Sequence, residues 1–406
     1  MKKILQLTLG VMTALGGFVD LGQIVFTMQA GALFGYALIW TIALGTVAII
    51  LYMEMCGRVA AVTHEAVFGV VRRQLGERLG VFTLVASNLL NLITCTAELG
   101  AIGIILHLLT GWNQQLLTVA GALILGALVW LLHFQWIERT FGLWGLLMIV
   151  FGVAAWKLHG ALPPPPPSPL HGRHATLLYG YFAVGIFSAL LMEYEVHFYS
   201  SGAIEEKWDA SALSENTMIA VSGTALGALI TVALLVLGAL VFLPRGIFPE
   251  LLPSTAMPPA LALGHAGLTL ALLGMLATIS SAAVETALCA GYNTCQFFRL
   301  KWDKNLPPRE VPKFTIAWVG TLALGTLIAV TGIQPLKLVD YSIILGMVLM
   351  PLTYYPILTA AGDKERMGKH ASKGVLNAAG WVFLVLIVIA ALIALPLTFL
   401  THLGQP

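Results

Sequence analysis

Apolar runs of roughly 18–28 residues, the length that crosses a bilayer as a helix, follow one another along the whole chain with short polar breaks between them. Eleven can be drawn, at 5–30, 36–57, 80–108, 115–134, 140–157, 176–200, 216–243, 267–297, 314–332, 338–360 and 378–400. The apolar positions inside them are continuous rather than alternating, which is the pattern of a helix in lipid and not of a barrel strand. The first run opens "MKKILQLTLGVMTALGG", a start compatible with a signal peptide. It continues through glycines and Asp20 without a small-residue cleavage site, so it reads as the first span.

Two of the spans are interrupted. The first carries Gly10, Gly16, Gly17, Asp20 and Gly22, and the sixth carries Glu193 and Glu195 within "GYFAVGIFSALLMEYEVHFYSS". Between spans five and six lies "ALPPPPPSPLHGRHA", residues 161–175, whose proline run forms a semi-rigid spacer. Spans 1 and 6 are therefore the first of each half, and polar breaks at matching places in two halves point to a transporter's midplane site. The expected architecture is one all-α membrane domain over residues 1–406, a LeuT-like 5+5 inverted repeat with helices 1 and 6 unwound at the midplane. The first repeat is placed at 1–160, the linker at 161–175, the second repeat at 176–362 and an extra eleventh helix at 363–406.

Composition and charge agree. The chain is 58% hydrophobic and 10% charged with a mean hydropathy of +0.89, whereas soluble domains carry about a quarter charged residues. Of the 21 lysines and arginines, all but Lys157, Arg173, Arg245 and Lys337 fall in alternate loops if the N-terminus is cytoplasmic. That bias orients the chain with its C-terminus outside. It also accounts for the net charge of +2 without a nucleic-acid partner. Cys56, Cys95, Cys289 and Cys295 lie in apolar runs without CxxC spacing and read as small buried hydrophobes rather than metal ligands or disulfides.

Seven acids fall inside the spans, namely Asp20, Glu54, Glu98, Glu193, Glu195, Glu285 and Asp340, and no lysine or arginine lies deep in any span. A buried acid without a basic partner has to be neutralised by a proton or a cation, so the imbalance favours a cation pathway over anionic substrates. Glu54 stands four residues before Arg58 and reads as its helix-end partner, while Asp340 reads as a hydrated acid near the outer surface. Glu98 reads as a relay. Glu285 either lines the path or bonds to Ser280 or Ser281.

Asp20 is the central metal-ligand candidate, because the glycines around it allow the helix to unwind and expose carbonyl oxygens. Gln23 adds a further hard oxygen, and oxygen donors suit magnesium, calcium or manganese. Glu193 and Glu195 would diverge by about 200° on a regular helix, so that one faces the path and the other a partner helix. An unwound segment would instead bring both towards one ion. Glu195 is the preferred ligand, and Glu193 is placed on the pathway or in the bend. Met192 is either packing or a thioether ligand for a softer metal. His197 is either a proton carrier, a ligand or an ordinary polar contact. His107 and His133, near helix ends, read as ordinary residues.

Over nearly its whole length the chain resembles the Nramp family of divalent metal transporters. Asp20-Leu21-Gly22-Gln23 is similar to the family's Asp-Pro-Gly-Asn. The stretches Gln29-Ala30-Gly31-Ala32 and Phe34-Gly35-Tyr36 follow it, and Ala97-Glu98-Leu99-Gly100 resembles the third-helix element. The late "LMPLTYYPIL…DKERMGK" resembles the tenth helix and its basic loop. Three departures matter. Met192-Glu193-Tyr194 stands for the family's Met-Pro-His, Cys95 stands where an aspartate is usual, and Gln23 stands for Asn. Phe18-Val19-Asp20, Tyr194-Glu195-Val196 and "YSSGAIEEKW" at 199–208 resemble the Nramp-related branch more closely. That branch includes magnesium transporters that bind a partly hydrated ion and lack proton coupling.

The resemblance implies a metal site between unwound helices 1 and 6 and alternating access in the cell (inner) membrane. The expected cargo is Mg²⁺ first and Mn²⁺ close behind, imported without tight proton coupling. The ion is the substrate and no cofactor is expected. The partners are the divalent ion and the lipid bilayer, and a monomer is the default. The alternatives are a proton-coupled Mn²⁺/Fe²⁺ importer of the ordinary Nramp type and an organic-solute transporter on the same fold. No HExxH, GxSxG or phosphate loop is present to suggest an enzyme.

Overall fold

A computed structural model describes residues 19–406. The first part of the predicted span 5–30, including Gly10, Gly16, Gly17 and Phe18, lies outside the described residues. The described chain is helical almost throughout. Its helices are α1 (Leu21–Phe34), α2 (Ile39–Thr63), α3 (Val67–Thr110), α4 (Gln114–Leu131) and α5 (Phe134–Ala161). After the proline linker come α6a (Gly172–Ala189), α6b (Glu193–Glu205), α7 (Leu213–Leu237, continued by the π-helical turn Gly238–Phe242) and α8 (Met257–Phe297). The chain closes with α9 (Pro312–Ala329), α10 (Pro335–Gly362) and α11 (Gly374–Leu400). Among the described residues ten helices are long and apolar enough to span a membrane, and α1 is a shorter apolar helix of 14 residues.

The predicted spans coincide with these helices, but several helices are longer than their apolar runs. α3 begins at Val67 rather than 80, with a break at Gly76, where φ is +73°. Before the break Val67, Phe68, Val70 and Val71 are buried while Arg72 and Arg73 are half-buried. A window tuned to apolar content ends at those arginines, although the helix does not. α8 likewise extends back to Met257 through a break at Gly264, where φ is +64°. Glycine takes a positive φ at no steric cost.

Of the two predicted interruptions the one in helix 6 is present, while the part of helix 1 that would precede Val19 lies outside the described residues. Asp20 precedes α1 in an extended conformation, with φ −81° and ψ −178°. Between α6a and α6b, residues 190–192 leave the helix, and Met192 takes φ −57° and ψ 130° before α6b starts at Glu193. These helices are buried by their neighbours: α1 packs against α6a, α7 and α10, and α6b against α2, α3 and α8. By contrast α4 and α9 expose large apolar side chains such as Leu123, Trp130, Ile316 and Leu327, as lipid-facing helices do.

Candidate ion site between the broken helices

The start of a helix exposes unpaired N–H groups, and at the start of α1 two carboxylates take them up. Asp20 Oδ1 accepts from Gln23 N at 2.8 Å. Glu98 Oε1, reaching over from α3, accepts from Leu21 N at 3.3 Å. A helix N-terminus favours negative charge, so the start of α1 both needs and stabilises these acids. The other Asp20 oxygen, Oδ2, accepts from the Tyr194 hydroxyl of α6b at 3.0 Å. The break in helix 6 and the start of α1 thus meet through one hydrogen bond from the first turn of α6b to the residue that precedes α1.

Glu195 and Glu285 complete an acidic enclosure. Both are buried, and the carboxylates of Glu98, Glu195 and Glu285 each lie within electrostatic reach of Asp20. Ser281 Oγ donates to Glu285 Oε1 at 2.8 Å, one of the two partners expected for it. Glu98 Oε2 and Glu195 Oε2 are buried acceptors without a donor, which is rare for buried polar atoms. No lysine or arginine pairs with any of the four among the described residues. Nor do three His, Cys, Asp or Glu side chains there converge closely enough to hold a bare metal ion.

The remaining candidates have partners of their own. Gln23 spans two helices: Nε2 donates to Ala189 O at the end of α6a at 3.1 Å, and Oε1 accepts from Thr231 of α7 at 3.1 Å. Glu193 opens a regular helix, so it diverges from Glu195 and accepts from Ser87 Oγ of α3 at 2.8 Å. The bend that would bring both to one ion falls one residue earlier, at 190–192. Met192 is buried, and its Sδ would lie 3.6 Å from a Cβ placed on Gly346 of α10, ordinary packing distance. His197 meets Thr353 Oγ1 at 3.3 Å through Nε2 and packs edge-on against Phe68.

The residues read as ordinary behave so. Arg58 Nε donates to Glu54 Oε1 at 2.9 Å, and all four cysteines are free and buried. Asp340 is half-buried near the start of α10. Sequence reasoning passed over Tyr194 and Thr231 as site residues. The signal for Tyr194 was its position, between two glutamates and directly after the helix break. Thr231 had none, since its partner is 208 residues away in sequence.

The start of α1 faces the break in helix 6 around buried acids that have no basic partner among the described residues, and similarity to known proteins says what kind of protein this is. The Nramp family model (natural resistance-associated macrophage protein-like) matches residues 10–396. The chain belongs to the Nramp family. A divalent metal cation transporter MntH of Mesorhizobium japonicum is 26% identical, with 92% of this chain and 84% of that protein covered. The MntH of Staphylococcus haemolyticus is 23% identical over 93% of this chain and 88% of its own length.

Among solved structures, a mutant form of an Eremococcus coleocola manganese transporter superposes with a TM-score of 0.76 at 18% identity, covering 98% of this chain and 87% of its own. MhsT in complex with L-phenylalanine superposes at 0.62 and 14% identity, covering 94% of this chain and 98% of its own. These likenesses establish the fold, the LeuT-type 5+5 repeat. Nramp proteins are metal transporters and not enzymes, and in them the metal is the transported substrate, with no resident cofactor.

Proposed function

We propose that this chain carries divalent cations across the cell membrane by alternating access, with Mg²⁺ the preferred cargo and Mn²⁺ accepted. Asp20 is the central ligand in this reading, Glu195 and Glu98 face the ion, and Glu285 lines the path. Gln23 braces helix 1 against helices 6 and 7. The observation that carries the proposal is the pair of donorless oxygens, Glu98 Oε2 and Glu195 Oε2, buried beside Asp20 without a base. A divalent cation satisfies such a set electrostatically.

Two features favour Mg²⁺. The acids do not close on a bare ion, and Mg²⁺ sheds water reluctantly, so it binds through carboxylates while keeping part of its hydration shell. The thioether of Met192, the soft donor that the sequence offers beside the acids, packs on Gly346. Import without tight proton coupling is the proposed mode, because a divalent ion moving inward gains about 2.3 kcal/mol per charge per 100 mV. The proposed orientation has a cytoplasmic N-terminus, on the loop distribution of lysine and arginine.

The names of the MntH and manganese-transporter relatives favour a second reading, proton-coupled Mn²⁺ import. Flux of Mg²⁺, Mn²⁺ and Ca²⁺ into proteoliposomes, with the wild type beside Asp20→Ala, separates the readings. The expected result is Mg²⁺ uptake without lumenal acidification, lost in the variant. Metal-driven acidification moves the assignment to the second reading, and equal flux in both proteins removes the site.

A further inference from the structure

We propose that the Tyr194 hydroxyl is the selectivity-determining oxygen of this site, tuning it to hard cations such as Mg²⁺ over softer ones. The inference rests on the reading of Asp20 as an ion ligand. Tyr194 is buried, and it follows the break in helix 6 by two residues, so the first turn of α6b aims it at the start of α1. Its hydroxyl donates to Asp20 Oδ2 at 3.0 Å. Its backbone carbonyl accepts from Cys289 Sγ of α8 at 3.3 Å, which ties this turn to a third helix.

With its proton committed to Asp20, the phenol oxygen keeps its lone pairs for a cation. An ion bound at Asp20 therefore meets a neutral oxygen directly beside the carboxylate. The sulfur nearby, Met192 Sδ, packs at the Gly346 position of α10. Met192 still belongs to the extended break while Tyr194 is helical. Oxygen donors favour hard, well-hydrated ions, whereas thioether and imidazole donors favour softer ones. A phenol also adds no positive charge beside the ion, as a protonated imidazole would.

The test is the ratio of Mg²⁺ to Mn²⁺ flux in proteoliposomes of the full-length protein, for wild type, Tyr194→Phe and Tyr194→His, each checked for monodispersity. Losing one oxygen interaction to a charged centre is expected to lower that ratio about tenfold in Tyr194→Phe. Tyr194→His, which can still donate to Asp20 but offers nitrogen to the ion, is expected to shift the ratio in the same direction. A structural role alone would lower both fluxes together and leave the ratio alone. A ratio within about twofold of wild type in whichever of the two variants folds overturns the proposal, on the scale set by a lost hydrogen bond to a charge. Asp20→Ala run alongside keeps the two levels distinct: its loss of flux with an unchanged Tyr194 ratio refutes the selectivity role only, whereas its full activity refutes the ion site itself.

Discussion

Asp20 combines two physical roles that are separable by substitution. As the residue preceding α1 it accepts the Gln23 amide, and as a carboxylate it supplies the charge that a cation needs. Asparagine is as good a helix cap as aspartate, and losing such a cap altogether costs about 1 kcal/mol. Asp20→Asn should therefore fold and melt close to the wild type, within about 0.5 kcal/mol on the capping scale. Ion flux should fall at least about a hundredfold, as removing a charged ligand worth about 3 kcal/mol implies. Melting in detergent and flux in proteoliposomes measure the two roles independently. A variant that folds and still transports would make Asp20 a cap only. Glu98 shares the capping duty through Leu21 N, so the helix end stays occupied when Asp20 is altered.

At the scale of elements, α1 is held by a close approach to α7. A Cβ on Gly31 would fall 2.1 Å from Leu235 O, and one on Gly238 would fall 2.2 Å from Met28 O. These obstacles are backbone atoms and cannot swing aside. Small residues at such crossings let backbones approach in a membrane, where packing rather than the hydrophobic effect holds helices together. The π-helical turn begins at Gly238, where α7 meets α1. Gly31→Val is expected to cost on the order of 3 kcal/mol, the upper end of overpacking penalties, and to leave little monodisperse protein by size-exclusion. Gly152→Ala on α5, where nothing lies within 4 Å of the added carbon, should be neutral or stabilising by up to about 1 kcal/mol from helix propensity. Similar yields for the two variants would mean that the α1–α7 contact is not needed for folding.

Across the whole molecule, an ionic cluster on the face that the proposed orientation puts in the cytoplasm joins parts that the proposed alternating access would separate. Glu65, between α2 and α3, accepts from Arg73 of α3 at 3.1 Å and from Arg366, beyond α10, at 3.1 Å. Asp363 stands 3.9 Å from Arg73. A polar column runs inward from this level. Ser200 accepts from Val67 N, Ser201 accepts from Gln296, and His197 and Glu193 lie above them on α6b. Glu65→Gln should weaken the closure and speed alkylation of a cysteine introduced at Ser200 from the cytoplasmic side. The expected gain is about fivefold, since partly exposed pairs contribute up to about 1 kcal/mol, and high salt should reproduce part of it. Unchanged labelling would mean that the cluster is no gate.

The spans, the two halves, the break in helix 6 and the family are all legible in the chain before it folds. Each follows from local composition: apolar length, acids within an apolar run, a proline run, a motif in register. The lack of basic partners for the acids is legible too, because that imbalance is a property of the whole list of residues. How the polar groups are shared out was settled by the packing of the helices. Gln23, which reads as a ligand by its oxygen, is occupied by Ala189 and Thr231. Glu193 and Glu195, alike in sequence, part company because α6b is already regular at Glu193. Tyr194, marked in the sequence only by its place between two glutamates, donates to the central carboxylate. The reason is physical. Whether a residue prefers lipid, helix or break is settled within its own segment, whereas a side-chain hydrogen bond depends on what another helix, often more than a hundred residues away, brings into reach.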